Sequence, residues 1–310
     1  MAVLFLHERK WMKQLNIFQR HPYSVLAFSV VMGATSGIIT RFIQADPMAI
    51  GFYRLAFALP FFLIPSLIFH RREFLEISHR DLMWSIISGG FLFIHFYAWF
   101  KAITLTTIAS AVVLMELHPV IVLFITLVFF RKKVPISSIV GIGVALVGGM
   151  IVAGGDYSLE GTHFVGDIYA LASAVGMGAY FAIGNVVRVR MASAPYVTLV
   201  FGSCWLFFAV GMLLLEVPFV GYAPSDYGFI LLMTLVCQVG GHALFNWCLG
   251  YVTALDVSTW ELGEIAVATM LAFLLLHEVP TPTQWVGALV VILGLLYYNR
   301  TQRKEAFHEL

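Results

Sequence analysis

The chain has 310 residues, of which 60% are hydrophobic and only 11% are charged, and its formal net charge is +1. Soluble globular domains carry roughly 25% charged residues, so this composition excludes a soluble enzyme or a nucleic-acid-binding protein and indicates a polytopic membrane protein. The three cysteines all lie within apolar segments, without the spacing of a disulfide framework or a thiolate metal site.

Ten apolar segments are each long enough to cross a bilayer, which takes about 20 helical residues for ~30 Å of hydrocarbon. Lipid offers the backbone no hydrogen-bond partner, so each segment is predicted to be an α-helix. The predicted spans are residues 22–42, 47–70, 81–103, 106–130, 136–154, 164–187, 194–217, 225–249, 252–277 and 282–299.

The connections between these segments predict the orientation of the chain. With the N-terminus inside, all but three of the 18 lysines and arginines lie on the cytoplasmic side; the exceptions are Arg41, Arg54 and Lys101. This bias places both termini in the cytoplasm, in a multi-pass protein of the cytoplasmic (inner or plasma) membrane.

An internal repeat divides the chain into two units of five spans. "MELHPV" (115–120) aligns with "WELGEI" (260–265), so that Glu116 corresponds to Glu261. "KKVPISSIVGIGVALVGGMIV" (132–152) aligns in the same register with "HEVPTPTQWVGALVVILGLLYY" (277–298). Because five is odd, the second unit enters the membrane from the opposite face, and the predicted fold is an all-α membrane protein with two inverted five-helix repeats.

The predicted organisation has five parts. A cytoplasmic N-terminal segment (1–21) precedes the first repeat (22–154), and an extracytoplasmic linker (155–163) leads to the second repeat (164–299) and a cytoplasmic tail (300–310).

Two stretches resemble a known family. "LLLHEVPTPTQWVGALVVILGLLYY" (274–298) is similar to the closing helices of EamA-type transporters of the drug/metabolite transporter (DMT) superfamily, and "FYRLAFALPFF" (52–62) resembles the second helix of their repeat unit. Glu278 matches the glutamate that the family has before the last helix of a unit. The resemblance implies a ten-helix fold and transport of a small metabolite.

Three glutamates are predicted to lie near the bilayer midplane. Glu116 and Glu261 are about nine or ten residues into the fourth and ninth spans, and Glu264 shares the face of Glu261 one turn away. A charge at this depth costs roughly 2.5–3.5 kcal/mol even on the lenient insertion scale, so each group must face a cavity or a partner. Pro119 and Gly263 are predicted to interrupt the same two helices, which indicates a transporter binding site.

Arg54 has two interpretations: a structural ion pair with Glu116, or a group that binds a substrate carboxylate. The second repeat has no cation equivalent to Arg54, so Glu261 and Glu264 are the predicted proton-coupling residues. Two carboxyl groups this close repel one another when both are ionised, so one of them is expected to hold a proton near neutral pH.

Polar and aromatic residues surround the glutamates. His95 and His242 occupy matched places in the third and eighth spans and either form hydrogen bonds between helices or line the cavity. Trp99 and Trp260 either face lipid or contact the substrate. The full set of predicted substrate-binding residues is Glu261, Glu264, Glu116, Arg54, His95, Trp99, His242, Asn246, Trp260 and Tyr180.

The sequence therefore predicts a secondary active transporter, not an enzyme, that moves an amino acid or amine by alternating access with protons as the coupling ion. The alternatives are an exchanger or facilitator of another metabolite without proton coupling, and, after these, a membrane-embedded enzyme or a channel. No cofactor, metal or nucleic acid is expected. The expected partners are the small-molecule substrate, protons and the lipid bilayer, with the protein a monomer or weak dimer.

Overall fold

The protein is a bundle of long apolar helices in the computed structural model, which describes residues 21–106, 108–153, 161–276 and 279–308. The helices are, in chain order, α1 Pro22–Gly33, α2 Ser36–Thr40, α3 Pro47–Phe69, α4 Arg71–Leu75, α5 His79–Leu105, α6 Ile108–Met115, α7 His118–Val128, α8 Ile136–Ala153, α9 Gly161–Arg188, α10 Ser193–Leu214, α11 Pro224–Met233, a π-helical segment Thr234–His242, α12 Ala243–Cys248, α13 Ala254–Glu261, α14 Gly263–Leu276 and α15 Pro282–His308.

These elements form ten membrane spans. Span 1 is α1 with α2, span 2 is α3, span 3 is α5, span 4 is α6 with α7, span 5 is α8, span 6 is α9, span 7 is α10, span 8 is α11 with the π-segment and α12, span 9 is α13 with α14, and span 10 is α15. Eight of them are long and apolar enough to cross a membrane by length and composition, and span 5 is a shorter apolar helix. The helix of span 10 continues to His308, beyond the predicted end of the membrane segment.

The spans pack in pairs that each join one repeat to the other. Span 1 packs on span 8, span 2 on span 7, span 3 on span 6, span 4 on span 9 and span 5 on span 10. Exchanging the two repeats converts the pair of spans 1 and 8 into that of spans 6 and 3, and leaves the other pairs unchanged. Span 4 also packs on span 6 and span 3 on span 7, and the same exchange converts these pairs into spans 9 and 1 and spans 8 and 2, which are in contact as well. Contacts that map onto one another in this way are what a pseudo-twofold axis between inverted repeats requires, and they confirm the predicted fold.

Both helices that carry the glutamates are broken where the sequence predicts it. Span 4 unwinds at Glu116 and Leu117, immediately before His118 and Pro119, and span 9 unwinds at Leu262, between Glu261 and Gly263. Pro119 lacks the N–H of a helix interior and is tolerated in the first turn of the new helix. The two breaks therefore place Glu116 and Glu261 beside irregular backbone near the middle of the bundle.

Two further irregularities lie on one side of the bundle and were not predicted. Span 1 breaks at Ala34 and Thr35, where the Thr35 hydroxyl donates to the Met32 carbonyl at 2.7 Å. Span 8, which packs on span 1, is π-helical from Thr234 to His242. Their symmetry mates, spans 6 and 3, are continuous helices.

Candidate functional site

A central cavity of about 130 Å³ lies between spans 1, 2, 3, 4, 8 and 9. Seven of the ten predicted substrate-binding residues line it: Glu116, Glu261, Glu264, Arg54, His95, Trp99 and His242. The remaining three, Asn246, Trp260 and Tyr180, lie outside its wall.

The three carboxyl groups enter the cavity from the broken helices. Glu116 is 1% exposed, and neither of its carboxyl oxygens has a hydrogen-bond partner among the described residues. Glu264 is partly buried and reaches the broken part of span 1, where a Cβ on Gly33 would lie 2.0 Å from its Oε1. A side chain at position 33 would therefore push the Glu264 carboxyl group out of this place.

Glu261 contacts a histidine that the sequence interpretation overlooked. His118 Nε2 lies 2.8 Å from Glu261 Oε2, although the angle departs from that of a regular hydrogen bond. His118 is fully buried; its Nδ1 lies 3.2 Å from the Met115 carbonyl and 3.9 Å from Glu116 Oε2. His118 therefore connects the break in span 4 to the break in span 9. Its only signal in the sequence is its place two residues after Glu116, because a contact between repeats leaves no local pattern.

The proposed Arg54–Glu116 ion pair is wrong in this structure, since within the described residues no contact of ion-pair length joins them. Arg54 is 1% exposed, its Cζ lies 4.4 Å from the centroid of the Phe96 ring, and its Nη1 lies 3.7 Å from Met233 Sδ. Its Nε and Nη2 have no hydrogen-bond partner in the described part of the chain. The ring of Phe96, which the sequence interpretation also missed, holds the guanidinium by a cation–π contact.

The two histidines of the third and eighth spans meet at the cavity wall. The ring centroids of His95 and His242 are 5.9 Å apart. His95 Nδ1 lies 2.9 Å from the Ser173 hydroxyl of span 6, so His95 both joins two helices and lines the cavity. His242 Nδ1 has no hydrogen-bond partner among the residues described.

Asn246 and Tyr180 form a layer below the cavity, at the end where spans 6 and 8 finish. The Asn246 amide donates to the Tyr180 hydroxyl and to the His242 carbonyl, and both side chains are fully buried. Arg188, at the end of span 6, donates to the carbonyls of Asn246, Trp247 and Met191. These bonds close this end of the bundle.

Trp260 lies away from the cavity. Its Nε1 donates to Asn299 Oδ1 at 3.1 Å, and its ring contacts that of Tyr23. Trp260 therefore packs spans 1, 9 and 10 together in this state.

The opposite end of the cavity reaches the surface. Arg41 is exposed and lines the cavity at the end of span 1, and Trp99 and Val112 line it near the end of span 3 and the start of span 4. Glu278, which carries part of the family resemblance, lies outside the described residues.

Two relatives with curated descriptions are similar to this chain over about two thirds of its length. An uncharacterized transporter of Bacillus subtilis (strain 168), YxxF, is 24% identical over 226 residues, which are 70% of each chain. An uncharacterized transporter of Clostridium kluyveri is 25% identical over 213 residues, 66% of this chain and 67% of the relative.

A solved crystal structure has the same fold. It superposes with a TM-score of 0.74 over 90% of this chain and 96% of its own, at 16% sequence identity. The model of the EamA-like transporter family matches the chain twice, over residues 22–154 and 164–300. Because these two matches cover most of the sequence, the chain belongs to the EamA-like transporter family.

Proposed function

We propose that this protein is a secondary active transporter that carries a small amino acid or amine across the cytoplasmic membrane by alternating access, coupled to the proton gradient. One observation carries the proposal: three carboxyl groups and the buried guanidinium of Arg54 face a single cavity at the point where two symmetry-related helices unwind. Intramembrane ionisable groups at broken helices mark substrate and ion sites in transporters.

The carboxyl groups supply a partner for a substrate ammonium. Neither carboxyl oxygen of the buried Glu116 has a hydrogen-bond partner within the described chain, and His118 Nδ1 is 3.9 Å away, whereas Glu261 Oε2 lies 2.8 Å from His118 Nε2. An ammonium group has three donors and no acceptor, so it satisfies carboxyl oxygens that the protein leaves without donors. We therefore assign Glu116 and Glu264 to the ammonium, and Glu261 to the contact with His118.

Arg54 supplies a partner for a substrate carboxylate. Its guanidinium is held in place by Phe96 and leaves Nε and Nη2 for a ligand, and these two N–H groups lie side by side on one edge of the fork. Such an edge binds a carboxylate through two parallel hydrogen bonds. This arrangement favours a zwitterionic amino acid over a simple amine.

The remaining wall favours a small, apolar side chain. Phe96, Trp99, Val112 and Met115 line the cavity beside the charged groups. Its volume of about 130 Å³ is below the roughly 300–1,000 Å³ of pockets for drug-sized ligands, so this state suits a single small metabolite.

Proton coupling follows from competition for the carboxyl groups. A proton on any of the three carboxyl groups, Glu261 included, removes a charge that attracts the ammonium, so substrate and proton exclude one another. The apparent affinity for substrate is then highest at high pH and falls as the pH is lowered and the carboxyl groups become protonated. An exchanger or facilitator without coupling would show no such dependence.

Alternating access accounts for the one-sided cavity. In the orientation with both termini in the cytoplasm, the open end at Arg41 faces outward and the layer of Asn246, Tyr180 and Arg188 faces the cytoplasm. The structure then corresponds to a state that loads or releases substrate on the outer side.

The test compares each amino acid with the amine that remains when its carboxylate is removed, for example leucine with isopentylamine and phenylalanine with phenethylamine. Binding to the purified protein is measured by thermal shift, since a ligand at 100 times its dissociation constant stabilises by about 2.7 kcal/mol. In the pair whose amino acid binds most tightly, we expect the amino acid to bind at least about tenfold more tightly than the corresponding amine. In Arg54→Gln this preference should disappear, because the loss of a charged hydrogen-bond donor costs about 1.5–3 kcal/mol.

Arg190→Gln is the matched control, because Arg190 forms an ion pair with Asp81 at the surface, away from the cavity. The binding proposal fails if wild type binds neither member of any pair, or if Arg54→Gln keeps the preference for the amino acid. In proteoliposomes, accumulation of the bound compound should collapse with a protonophore; accumulation that persists would remove the proton coupling.

A further inference from the structure

The contact between His118 and Glu261 fixes where a proton must lie in this state. His118 Nε2 and Glu261 Oε2 are 2.8 Å apart, and both residues are buried. At this distance a bare imidazole nitrogen and a bare carboxylate oxygen would bring two lone pairs together. One of the two atoms therefore carries a hydrogen.

The other ring nitrogen decides how many protons the pair holds. His118 Nδ1 lies 3.2 Å from the carbonyl oxygen of Met115. A carbonyl oxygen only accepts, so Nδ1 carries a hydrogen and donates it there. In a neutral imidazole Nε2 is then bare, and the hydrogen between His118 and Glu261 is an additional one.

We propose that His118 and Glu261 share this additional proton and together form the proton-coupling site of the transporter, which extends the proposed function by one residue. The proton resides as a carboxyl hydrogen on Glu261 or as the second N–H of an imidazolium, and the count is the same in both cases. His118 acts through Glu261 and is a positioning residue, because Glu261 lines the cavity and His118 lies behind it.

Release of the proton changes the packing of the two broken helices. Without it the Nε2 lone pair faces a carboxylate, which is repulsive, or the ring moves its hydrogen to Nε2 and loses the bond from Nδ1 to the Met115 carbonyl. Either change weakens the contact between the breaks in spans 4 and 9. The proton leaves through Glu261 to the cavity, where a substrate ammonium takes its place as the positive charge. Protonation thus favours the state in which these two spans are in contact.

Other groups around the pair set the proton affinity together with it. The titratable and charged side chains that face it are Glu116 on span 4, Glu264 on span 9, Arg54 on span 2, His95 on span 3, His242 on span 8 and Tyr180 on span 6.

The first experiment needs neither a variant nor a substrate. The ¹⁵N resonances of His118 in the purified wild-type protein, assigned by comparison with His118→Gln, report which ring nitrogens carry hydrogen. We expect Nδ1 to be protonated, and Nε2 either to be protonated as well or to accept a strong hydrogen bond. A neutral ring with hydrogen on Nε2 and a bare Nδ1 would overturn the proposal.

The second experiment follows Glu261 by infrared spectroscopy of the purified protein across a pH titration. The carboxyl band lost in Glu261→Gln identifies its signal. We expect His118→Gln to move the titration midpoint of that band by about one pH unit or more, because two coupled groups titrate as a unit. His79→Gln, at the exposed start of span 3, is the matched control and should leave the midpoint in place.

If the titration midpoint of the Glu261 carboxyl band is unchanged in His118→Gln, the proposal that the two residues share a proton is overturned. This result is distinct from a failure of the proposed function, because the infrared and NMR signals are recorded without substrate. Accumulation that persisted with a protonophore would contradict proton coupling, whereas the NMR and infrared results would still show whether His118 and Glu261 share a proton.

Discussion

Glu116 is a buried carboxyl group whose oxygens have no donor among the described residues. A polar group left in this state costs about 1–3 kcal/mol of stability, more if it is charged. Arg54 is in the same situation, with two N–H groups unpartnered within the described chain. Because the two side chains line the same cavity without forming an ion pair, a ligand that carries both charges would satisfy both.

Glu116→Gln should therefore leave the stability of the ligand-free protein unchanged or raise it by about 1–2 kcal/mol, since it removes a buried charge that accepts no hydrogen bond and whose contact with His118 is 3.9 Å long. Binding of a cationic ligand should fall at least about tenfold. Thermal unfolding in detergent and the ligand-induced thermal shift measure the two effects.

Glu76→Gln is the control for the exchange itself, because Glu76 lies at the surface in an ion pair with Arg72. Such pairs contribute only about 0–1 kcal/mol. A loss of more than about 2 kcal/mol in Glu116→Gln would show that Glu116 has a structural partner after all.

The helices of this bundle differ in how well their shape could be predicted. Pro119 and Gly263 mark the breaks in spans 4 and 9 directly, because one cannot sit in a helix interior and the other weakens it. Span 1 has no proline at its break, and only the packed structure shows Thr35 bonded to the Met32 carbonyl there. The π-segment of span 8, which packs against spans 1 and 2, was likewise not predicted.

The same limit applies to the candidate site. The depth of a residue along its span follows from counting, and the glutamates, Arg54 and the two histidines line one cavity in the structure. Counting residues does not predict which side chains of the two repeats touch, which is why the ion pair of Arg54 with Glu116 stayed one of two interpretations and His118 was missed. Asn246 and Tyr180 were predicted at the correct helices but belong to the closed layer below the cavity.

Spans 5 and 10 pack closely enough that glycine is required between them. A Cβ on Gly148 would lie 2.5 Å from the backbone nitrogen of Val291 and 2.8 Å from the carbonyl oxygen of Gly287. Gly143, on the same helix, has nothing within 4 Å of its ideal Cβ position. Small residues at such contacts let membrane helices approach closely.

We expect Gly148→Ala to destabilise the protein by about 1–3 kcal/mol, because the methyl group meets backbone atoms that cannot move aside. Gly143→Ala should be neutral or stabilise by up to about 1 kcal/mol through helix propensity. Thermal unfolding of the two variants side by side in detergent tests the contact. Equal stability of both would mean that spans 5 and 10 are further apart than the structure places them.

The two repeats are symmetric in how their spans pack but asymmetric in the conformation of the helices. The pairing of spans obeys the pseudo-twofold axis, yet the pair of spans 1 and 8 is broken and π-helical while its mate, spans 3 and 6, is straight. In an inverted-repeat transporter the opposite state is reached when the two arms exchange conformations. We infer that the irregular pair borders the open side and the straight pair the closed side.

The closed side depends on Arg188, which joins the end of span 6 to the end of span 8 through the carbonyls of Asn246 and Trp247. Arg188→Gln removes most of these bonds and should destabilise the closed layer by about 1–3 kcal/mol, which corresponds to a shift of about 5–150-fold toward the inward-open state. A single cysteine at Ala268, on the cavity wall, reports the state. With Cys204, Cys237 and Cys248 replaced, an impermeant maleimide should label it from outside the cell, and Arg188→Gln should reduce that labelling and increase labelling from the cytoplasmic side.

Arg190→Gln is again the matched control, because Arg190 lies two residues further along but pairs with Asp81 at the surface. It should leave the labelling ratio near that of the parent. Labelling of the Ala268 cysteine from the cytoplasmic side alone, in the parent protein, would reverse the proposed orientation of the chain. An unchanged ratio in Arg188→Gln would instead show that the bonds of Arg188 persist in both states, so that the closed layer opens elsewhere.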